Sequence, residues 1–283
     1  MEGECGAPPL RSIDPGMDGG IVARIDAKLA RLRETNGVQI PLAIESGSRA
    51  WGFPSPDSDY DCRFIFVRPL DDYLALYPKR DVIEMPVDAV FDVGGWDLKK
   101  ALILLLKGNA VVAEWLTSPI IYSADAAFRD EFHALADHVL DRSRVARHYL
   151  HLGERIRRSD LSDPADAPLK KLFYVLRPAV MLRWLRLHPT RAYGPMHFPT
   201  LVREAELPLT LTALVDDLLA RKSETRELGR GVLPAPIGGF MDAEFDEARR
   251  WVSTGEGGPS EEERRAAEAF FRRMVRTFGG SPA

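Results

Sequence analysis

Two aspartates alternate with apolar residues at the start of a strand, and this segment constrains the fold more than any other. Residues 59–67 read Asp-Tyr-Asp-Cys-Arg-Phe-Ile-Phe-Val. On a strand, residues i and i+2 project from the same face, so Asp59 and Asp61 lie side by side while Tyr60 and Cys62 point into a core. The apolar residues that follow indicate a central strand rather than a solvent-exposed edge strand. Neighbouring carboxylates repel each other unless a cation bridges them, so the pattern favours a divalent metal site.

The rest of the chain divides into a strand-containing half and a helical half. Apolar and β-branched runs predict strands at 38–44, 60–67, 82–93 and 119–122, the third of them broken near Pro86. Helical spacing of apolar residues predicts helices at 21–33, 98–106, 110–116, 126–140, 142–158, 168–187, 198–204, 208–228, 242–252 and 261–277. Residues 229–240 are rich in Gly and Pro and are expected to form a loop.

Local signals mark several helix ends. Asn36-Gly37 predicts a left-handed cap at the end of the first helix, and Asp97 is a plausible N-cap. Ser260 followed by Glu263 matches a capping box.

The expected fold class is therefore α+β, a small mixed sheet with flanking helices followed by an all-helical C-terminal domain. We expect a disordered leader at 1–19, a first domain at 20–123, a helical domain at 124–253, and a linker with a final helix at 254–283.

Composition excludes several classes of protein. The chain has 283 residues, 45% of them hydrophobic and 28% charged, which is ordinary globular usage. The longest aliphatic run, residues 101–106, is far shorter than the ~20 residues that a bilayer span needs. The N-terminus lacks the continuous apolar stretch of a signal peptide. The two cysteines, Cys5 and Cys62, form no CxxC motif. We expect a soluble cytoplasmic protein without a membrane partner.

Charge is distributed unevenly between the two halves. Residues 45–97 contain 11 acids and 5 bases, whereas residues 141–191 contain 12 bases and 5 acids. A solvated helix face explains most runs of this kind. The alternative is that the acidic segment holds a cation while the basic segment offers charge to a phosphate-bearing ligand.

A Gly-Ser turn precedes the two aspartates. Gly47-Ser48 follows the predicted strand at 38–44, and ten residues separate Ser48 from Asp59. Such a turn lets backbone N–H groups and a hydroxyl approach a phosphate closely. A short excursion and a returning strand would then place the hydroxyl beside the carboxylates.

The combined pattern resembles the signature of the polymerase-β-type nucleotidyltransferase superfamily, a Gly-Ser turn followed by acid–apolar–acid–apolar on the next strand. Within it, the chain resembles the predicted nucleotidyltransferases that are associated with RNA ligases in RNA repair. The matching stretches lie at 47–52, 55–61, 95–102, 114–122 and 169–178.

The resemblance implies transfer of a nucleoside monophosphate from an NTP to an acceptor hydroxyl, with release of pyrophosphate. Residues 20–123 would be the catalytic domain, and the helical domain would close over the nucleotide. Asp59 and Asp61 would hold two metal ions, Mg²⁺ or Mn²⁺, and Gly47 with Ser48 would bind the β- or γ-phosphate.

The superfamily completes this site with a third carboxylate from a neighbouring strand. Asp92 is the preferred candidate because it lies within the apolar run 89–93, as a strand-borne ligand should. Asp97 and Asp88 are the alternatives. The third carboxylate would bind the catalytic metal and activate the acceptor hydroxyl.

A basic helical face supplies the remaining candidates. Lys170, Tyr174 and Arg177 share one face of the helix at 168–187, with Lys171 adjacent to it. The resemblance favours contacts from these residues to the triphosphate or base, and an amphipathic helix is the structural alternative. Arg49, beside the Gly-Ser turn, could meet phosphate or could anchor the loop.

The residues alone do not identify the acceptor of the nucleoside monophosphate. The resemblance implies RNA ends in RNA repair, with a functional association to an RNA ligase. The same fold also supports protein adenylylation or toxin neutralisation, and a catalytically inactive nucleotide-binding module is a further alternative.

Overall fold

The computed structural model describes residues 9–86, 90–226, 229–252 and 257–280. Its described strands form one six-stranded mixed sheet in the order β1-β6-β2-β3-β5-β4 and a separate two-stranded pair. β3 and β5 run parallel, and the other neighbours in the large sheet are antiparallel. The strands are β1 (Leu10–Ser12), β2 (Gln39–Glu45), β3 (Tyr60–Val67), β4 (Val82–Glu84), β5 (Phe91–Asp97), β6 (Ile121–Ala124), β7 (Ala167–Pro168) and β8 (Arg230–Gly231).

Helices flank the sheet and then make up almost all of the second half of the chain. They are α1 (Gly19–Asn36), α2 (Gly47–Ala50), α3 (Leu70–Leu74), α4 (Leu98–Leu106), α5 (Ala110–Leu116), α6 (Ala126–Val139), α7 (Arg142–Asp160), α8 (Leu169–Leu187), α9 (Phe198–Glu204), α10 (Leu209–Glu224), α11 (Ala235–Trp251) and α12 (Glu261–Phe278). The predicted α+β class is confirmed.

β3 is a central strand with two different buried faces. Tyr60, Cys62, Phe64 and Phe66 pack into a core that includes the apolar face of α1. Ile65 and its neighbours on the other face join a larger core built with the C-terminal helices. The alternation that the sequence predicted therefore places the carboxylate of Asp61 on the face toward the helical half of the molecule.

One hydrophobic core joins residues from both halves of the chain. Leu42 and Ile65 of the sheet belong to the same buried cluster as Leu176 of α8 and Met274 of α12. The C-terminal helix thus packs back onto the sheet half. The division into domains at residues 123 and 253 stays a prediction.

The predicted helix ends are confirmed. Gly37 has φ 60° and donates its N–H to the carbonyl of Arg33, as a left-handed cap does. Ser260 and Glu263 form both hydrogen bonds of a capping box.

Other local expectations require correction. Leu10–Ser12, expected within a disordered leader, forms an edge strand because Arg11 donates to the carboxylate of Asp26 and to the carbonyl of Tyr122. The strand expected at 82–93, with a break near Pro86, is two separate strands, β4 and β5, which pair antiparallel, and β5 continues to Asp97. Residues 235–240, expected as a loop, begin α11, where a proline in the first turn costs no hydrogen bond. Cys5 lies outside the described residues.

No helix in the described parts of the chain is long and apolar enough to span a membrane.

Candidate active site

The turn between β2 and α2 brings the backbone close to the carboxylate of Asp61. Gly47 has φ 61°, a left-handed conformation that favours glycine. A Cβ at this position would lie 2.0 Å from Oδ2 of Asp61, so even a methyl group has no room. The preceding residue, Ser46, donates its backbone N–H to the carbonyl of Asp61 at 2.8 Å. The glycine of the predicted Gly-Ser turn is therefore the residue that lets this turn approach Asp61.

The hydroxyl of Ser48 belongs to a small network of serines. It donates to Oγ of Ser58 at 2.9 Å, and Ser58 also accepts the backbone N–H of Ser55 at 2.9 Å. Because Ser58 directly precedes Asp59, the network holds the loop that returns the chain to β3. The hydrogen bond thus holds Ser48 against the residue that directly precedes Asp59 at the end of the ten-residue excursion.

Arg49 makes internal contacts with the same loop. Its guanidinium donates to the carbonyls of Ser58 at 2.6 Å and Asp59 at 3.1 Å, and it lies 3.9 Å from the ring centroid of Tyr60. These contacts are those of a loop anchor, the structural alternative for this residue.

Two of the three predicted carboxylates face each other across parallel strands. Asp61 on β3 is the register partner of Asp92 on β5. Arg63 connects them, with Nη2 at 3.2 Å from Oδ1 of Asp61 and 2.7 Å from Oδ2 of Asp92. Asp59 lies exposed, one position before β3 begins. The strand pairing therefore assembles an acidic group of three carboxylates with one arginine between two of them.

The electrostatics of Asp61 reflect this crowding. Burial raises the pKa of its carboxyl group, the nearby charges of Asp59 and Asp92 raise it further, and Arg63 and Arg49 lower it. Like charges at close range disfavour ionisation, and a bound cation would reverse that effect.

The donor set fits hard divalent cations. Asp59, Asp61 and Asp92 offer only carboxylate oxygens, the ligands that Mg²⁺ and Mn²⁺ prefer. Among the described residues, no three His, Cys, Asp or Glu side chains are already arranged around one point as a metal site. Because Arg63 lies between Asp61 and Asp92, cation binding to both would require its guanidinium to move aside.

Asp97 lies in a different environment from Asp92. It is 4% exposed, caps α4 by accepting the N–H of Lys99 at 2.8 Å, and accepts a hydrogen bond from Tyr73. On β5 it pairs with Phe66, near the opposite end of β3 from Asp61. Its role in the fold is that of a helix cap. Asp88, the other alternative, lies outside the described residues.

A buried carboxylate that sequence reasoning missed supports Asp61 from behind. Glu45, at the end of β2, is fully buried and accepts the backbone N–H of Asp61 at 2.8 Å and the hydroxyl of Tyr122 at 2.5 Å. Burial raises the pKa of Glu45 to about 7, although both hydrogen bonds lower it. The available signal was an acid that ends the apolar run at 38–44 directly before the Gly-Ser turn.

The predicted residues of α8 take different positions. Lys170 and Lys171 are exposed, whereas Tyr174 is half-buried and meets Trp51 edge-on with 5.6 Å between ring centroids. Tyr174 lies close enough to Asp61 and Asp59 that their charges, added to burial, raise the pKa of its hydroxyl. Tyr174 therefore lies within electrostatic range of Asp59 and Asp61.

Arg177 is buried beneath this surface. Its guanidinium forms an ion pair with Glu114 at 2.9 Å and lies 4.7 Å from the ring centroid of Trp51. Tyr149 donates to the same carboxylate at 2.7 Å. In this position Arg177 packs against the ring of Trp51 and pairs with Glu114 rather than with the carboxylates of the candidate site.

Lys222 of α10 is a second residue that sequence reasoning missed. Its side chain is buried, and Nζ donates to the carbonyl of Phe53 at 2.6 Å. Burial and the charge of Lys170 lower its pKa to about 8, and Asp57 opposes this shift. The signal was a lysine that continues the buried stripe of α10 through Leu211, Val215 and Leu218.

Similarity to known protein families agrees with this architecture. A mixed sheet with carboxylates on adjacent strands beside a Gly-Ser turn is the arrangement expected of polymerase-β-type nucleotidyltransferases. The family model RlaP, described as an RNA repair pathway DNA polymerase beta family, matches residues 21–273, and the chain belongs to that family. It is also similar to the uncharacterized protein YcgL of Bacillus subtilis (strain 168), with 37% identity over 223 residues that cover 79% of this chain and 85% of YcgL.

Proposed function

We propose that this protein transfers a nucleoside monophosphate from an NTP to an acceptor hydroxyl, releasing pyrophosphate, and that the acceptor is an RNA end undergoing repair. The observation that carries the proposal is the pairing of Asp61 with Asp92 across β3 and β5, with Asp59 alongside and Gly47 in contact with Asp61. Family membership supports the reaction class and the link to RNA repair.

The three carboxylates would hold two Mg²⁺ or Mn²⁺ ions. When bound, such ions lower the pKa of an attacking hydroxyl and neutralise charge that develops on the transferred phosphoryl group and the leaving group. Asp92 is the register partner of Asp61 and would be the third carboxylate. The family resemblance implies that this third carboxylate binds the catalytic metal and activates the acceptor hydroxyl. Glu45 holds the backbone of Asp61, which fixes where that carboxylate emerges.

The remaining residues bind and orient the triphosphate. The backbone at Gly47 and the hydroxyl of Ser48 would contact phosphate oxygens, because the left-handed glycine brings the turn close to Asp61. Tyr174, with Lys170 and Lys171 on the same helix, supplies the facing wall. Lysine side chains on that wall would balance the charge of a triphosphate.

The test is an incubation of the purified protein with each α-labelled NTP and Mg²⁺ or Mn²⁺, together with single-stranded RNA, tRNA or cell protein extract. We expect label on RNA, and its loss with RNA that ends in a 3′-deoxynucleotide. Asp59→Asn/Asp61→Asn should abolish transfer, whereas Asp97→Asn, matched in chemistry but outside the site, should retain it.

Other outcomes would redirect the proposal. Label on protein alone would indicate a protein adenylyltransferase, including a toxin-neutralising one. Binding of NTP without transfer to any acceptor would indicate an inactive nucleotide-binding module and would contradict the proposed reaction.

A further inference from the structure

A second basic region lies away from the candidate active site, on α7. A cavity of about 360 Å³ opens between the end of α4, one face of α7 and residues 257–259. Lys107, Arg144, Arg147, His148 and His151 line it, and none of the described lining residues is acidic. It shares no lining residue with the acidic group of Asp59, Asp61 and Asp92.

The helix places these side chains together because of their spacing. Arg144, Arg147, His148 and His151 occur at i, i+3, i+4 and i+7, which lie on one helical face. The opposite face of α7 is apolar and buried. The basic run noted in the sequence therefore has a structural consequence here, since part of it converges on a cavity instead of spreading over a solvated surface.

The charged side chains around the cavity differ in their contacts. Arg144 builds the wall, because its guanidinium donates to the carbonyl of Leu106 at 2.9 Å and to the carboxylate of Glu263 at 2.7 Å. Lys107 and His151 are exposed at the rim, and no acidic partner of Lys107 exists within the described ranges of the chain. The rim thus carries positive charge that the wall does not neutralise.

Size and chemistry together define the ligand. A volume of about 360 Å³ accommodates a phosphate group with part of its ester, being at the small end of ligand pockets. Lysine and arginine are the side chains that proteins use for phosphate, and the imidazoles add hydrogen-bonding nitrogens. The exposed rim allows a strand to enter and leave, so the phosphate does not have to be terminal.

The cavity is also connected to the candidate active site through the protein interior. The charge of Glu114 acts on His148, and Glu114 pairs with Arg177, which packs on Trp51 beside Tyr174. The buried Glu114–Arg177 ion pair therefore lies between the cavity and the candidate active site.

We propose that this cavity is a second phosphate-binding site, which holds a phosphate of an RNA strand whose end lies at the carboxylates. The part about the strand rests on the proposed function, whereas phosphate binding by the cavity does not.

The experiment measures RNA binding without NTP or metal. Fluorescence anisotropy of a labelled single-stranded RNA 12-mer, with a 5′-phosphate or a 5′-hydroxyl, is recorded over a range of salt concentrations. Lys107→Gln/Arg147→Gln is compared with Arg31→Gln/Arg250→Gln, a control pair at exposed positions of α1 and α11 that removes the same charge. Melting curves verify folding, and Lys107→Gln alone, at an exposed position, serves if the double variant is unstable.

We expect the cavity pair to weaken RNA binding at least fivefold and to reduce the slope of log K against log salt by about 0.7 for each phosphate that the protein no longer neutralises. The control pair should change binding less than twofold. Equal effects of both pairs, or no effect of either, would overturn the proposal, because binding would then depend only on net charge. An effect restricted to 5′-phosphorylated RNA would assign the site to a terminal phosphate.

Two further measurements distinguish phosphate binding by the cavity from RNA binding and from nucleotide transfer. Titration with inorganic phosphate, followed by NMR of the histidine ring protons, tests the cavity alone. Phosphate binding that Lys107→Gln/Arg147→Gln abolishes, with RNA binding unchanged, would assign the cavity to free phosphate and refute the strand. RNA binding in the Asp59→Asn/Asp61→Asn protein separates the two proposals, since the cavity should retain RNA even if no nucleotide is ever transferred.

Discussion

Replacing Gly47 with alanine tests whether the close approach of the turn to Asp61 is required for function. The substitution adds one methyl group in two unfavourable circumstances. The residue keeps a left-handed backbone at φ 61°, and the new Cβ would lie 2.0 Å from Oδ2 and 2.9 Å from Cγ of Asp61. Gly37 provides a matched control, because it has φ 60° but its Cβ would meet nothing within 4 Å.

The two substitutions share the backbone cost and differ in the contact. A left-handed conformation costs an L-residue about 1–2 kcal/mol, so Gly37→Ala should lower the melting temperature by roughly 2–8 °C and leave activity intact. Ordinary van der Waals contact begins near 3.4 Å, so in Gly47→Ala the Asp61 carboxylate has to retreat by more than about 1 Å. A displacement of that size at a reacting centre costs roughly 100-fold in rate.

The assay compares both variants with the parent protein by thermal unfolding, by transfer of α-labelled NTP and by Mn²⁺ binding followed by electron paramagnetic resonance. We expect similar losses of stability, with loss of transfer and of Mn²⁺ affinity confined to Gly47→Ala. Equal activity of the two variants would refute the reasoning, because the turn would then accommodate a side chain beside Asp61 without consequence.

Four other substitutions probe the surroundings of the site. Asp92→Asn should reduce transfer about 100-fold with little change in stability. Asp97→Asn should retain transfer and cost about 1–3 kcal/mol of stability, because asparagine still caps α4 but leaves buried Arg68 without the negative charge that lies 3.6 Å from it. Urea unfolding and transfer assays would measure both effects. In the absence of metal, the folded parent protein keeps a proton on Glu45, whose pKa is raised to about 7, while the unfolded chain releases it. Its free energy of unfolding should therefore fall by up to about 3 kcal/mol as the pH rises from 4.5 to about 7. Urea unfolding at pH 5 and pH 8 should detect this loss in the parent protein and no such loss in Glu45→Gln. Lys222 should have the opposite effect on stability, because its pKa is lowered to about 8 in the folded protein and the unfolded chain is therefore more protonated between about pH 8 and 10.5. The free energy of unfolding of the parent protein should rise over that interval by at most about 3 kcal/mol. Lys222→Met should remove the rise.

The sequence predicted those elements whose signals are local. The bounds of β3 coincide with the prediction for 60–67, because alternation up to Phe64, the apolar run that follows and Pro69 mark its faces and its end. The start of α11 was wrong, because prolines and glycines at 234–239 are typical of loops and are tolerated here only in the first turns of a helix. The edge strand at Leu10–Ser12 depends on Arg11 reaching Asp26 and Tyr122, contacts that no local pattern contains.

The same distinction applies within the candidate site. The turn at Gly47 and the aspartates at the start of β3, Asp59 and Asp61, could be inferred because short-range spacing alone brings them together. Local patterns could only mark the positions of Glu45 and Lys222, since the role of each depends on burial against a distant partner, Tyr122 in one case and Phe53 in the other.

Arg63 illustrates what strand pairing adds to a motif. Its position two residues after Asp61 puts both side chains on one face of β3, but only the parallel pairing with β5 places Asp92 within reach of the same guanidinium. Without a compensating charge, these carboxylates would repel each other during folding, before any cation is bound. The guanidinium lowers that cost while contacting each carboxylate from within the strand pair. The arginine and a divalent cation would satisfy the same requirement, so the fold can assemble its acidic group first and exchange the counter-charge afterwards.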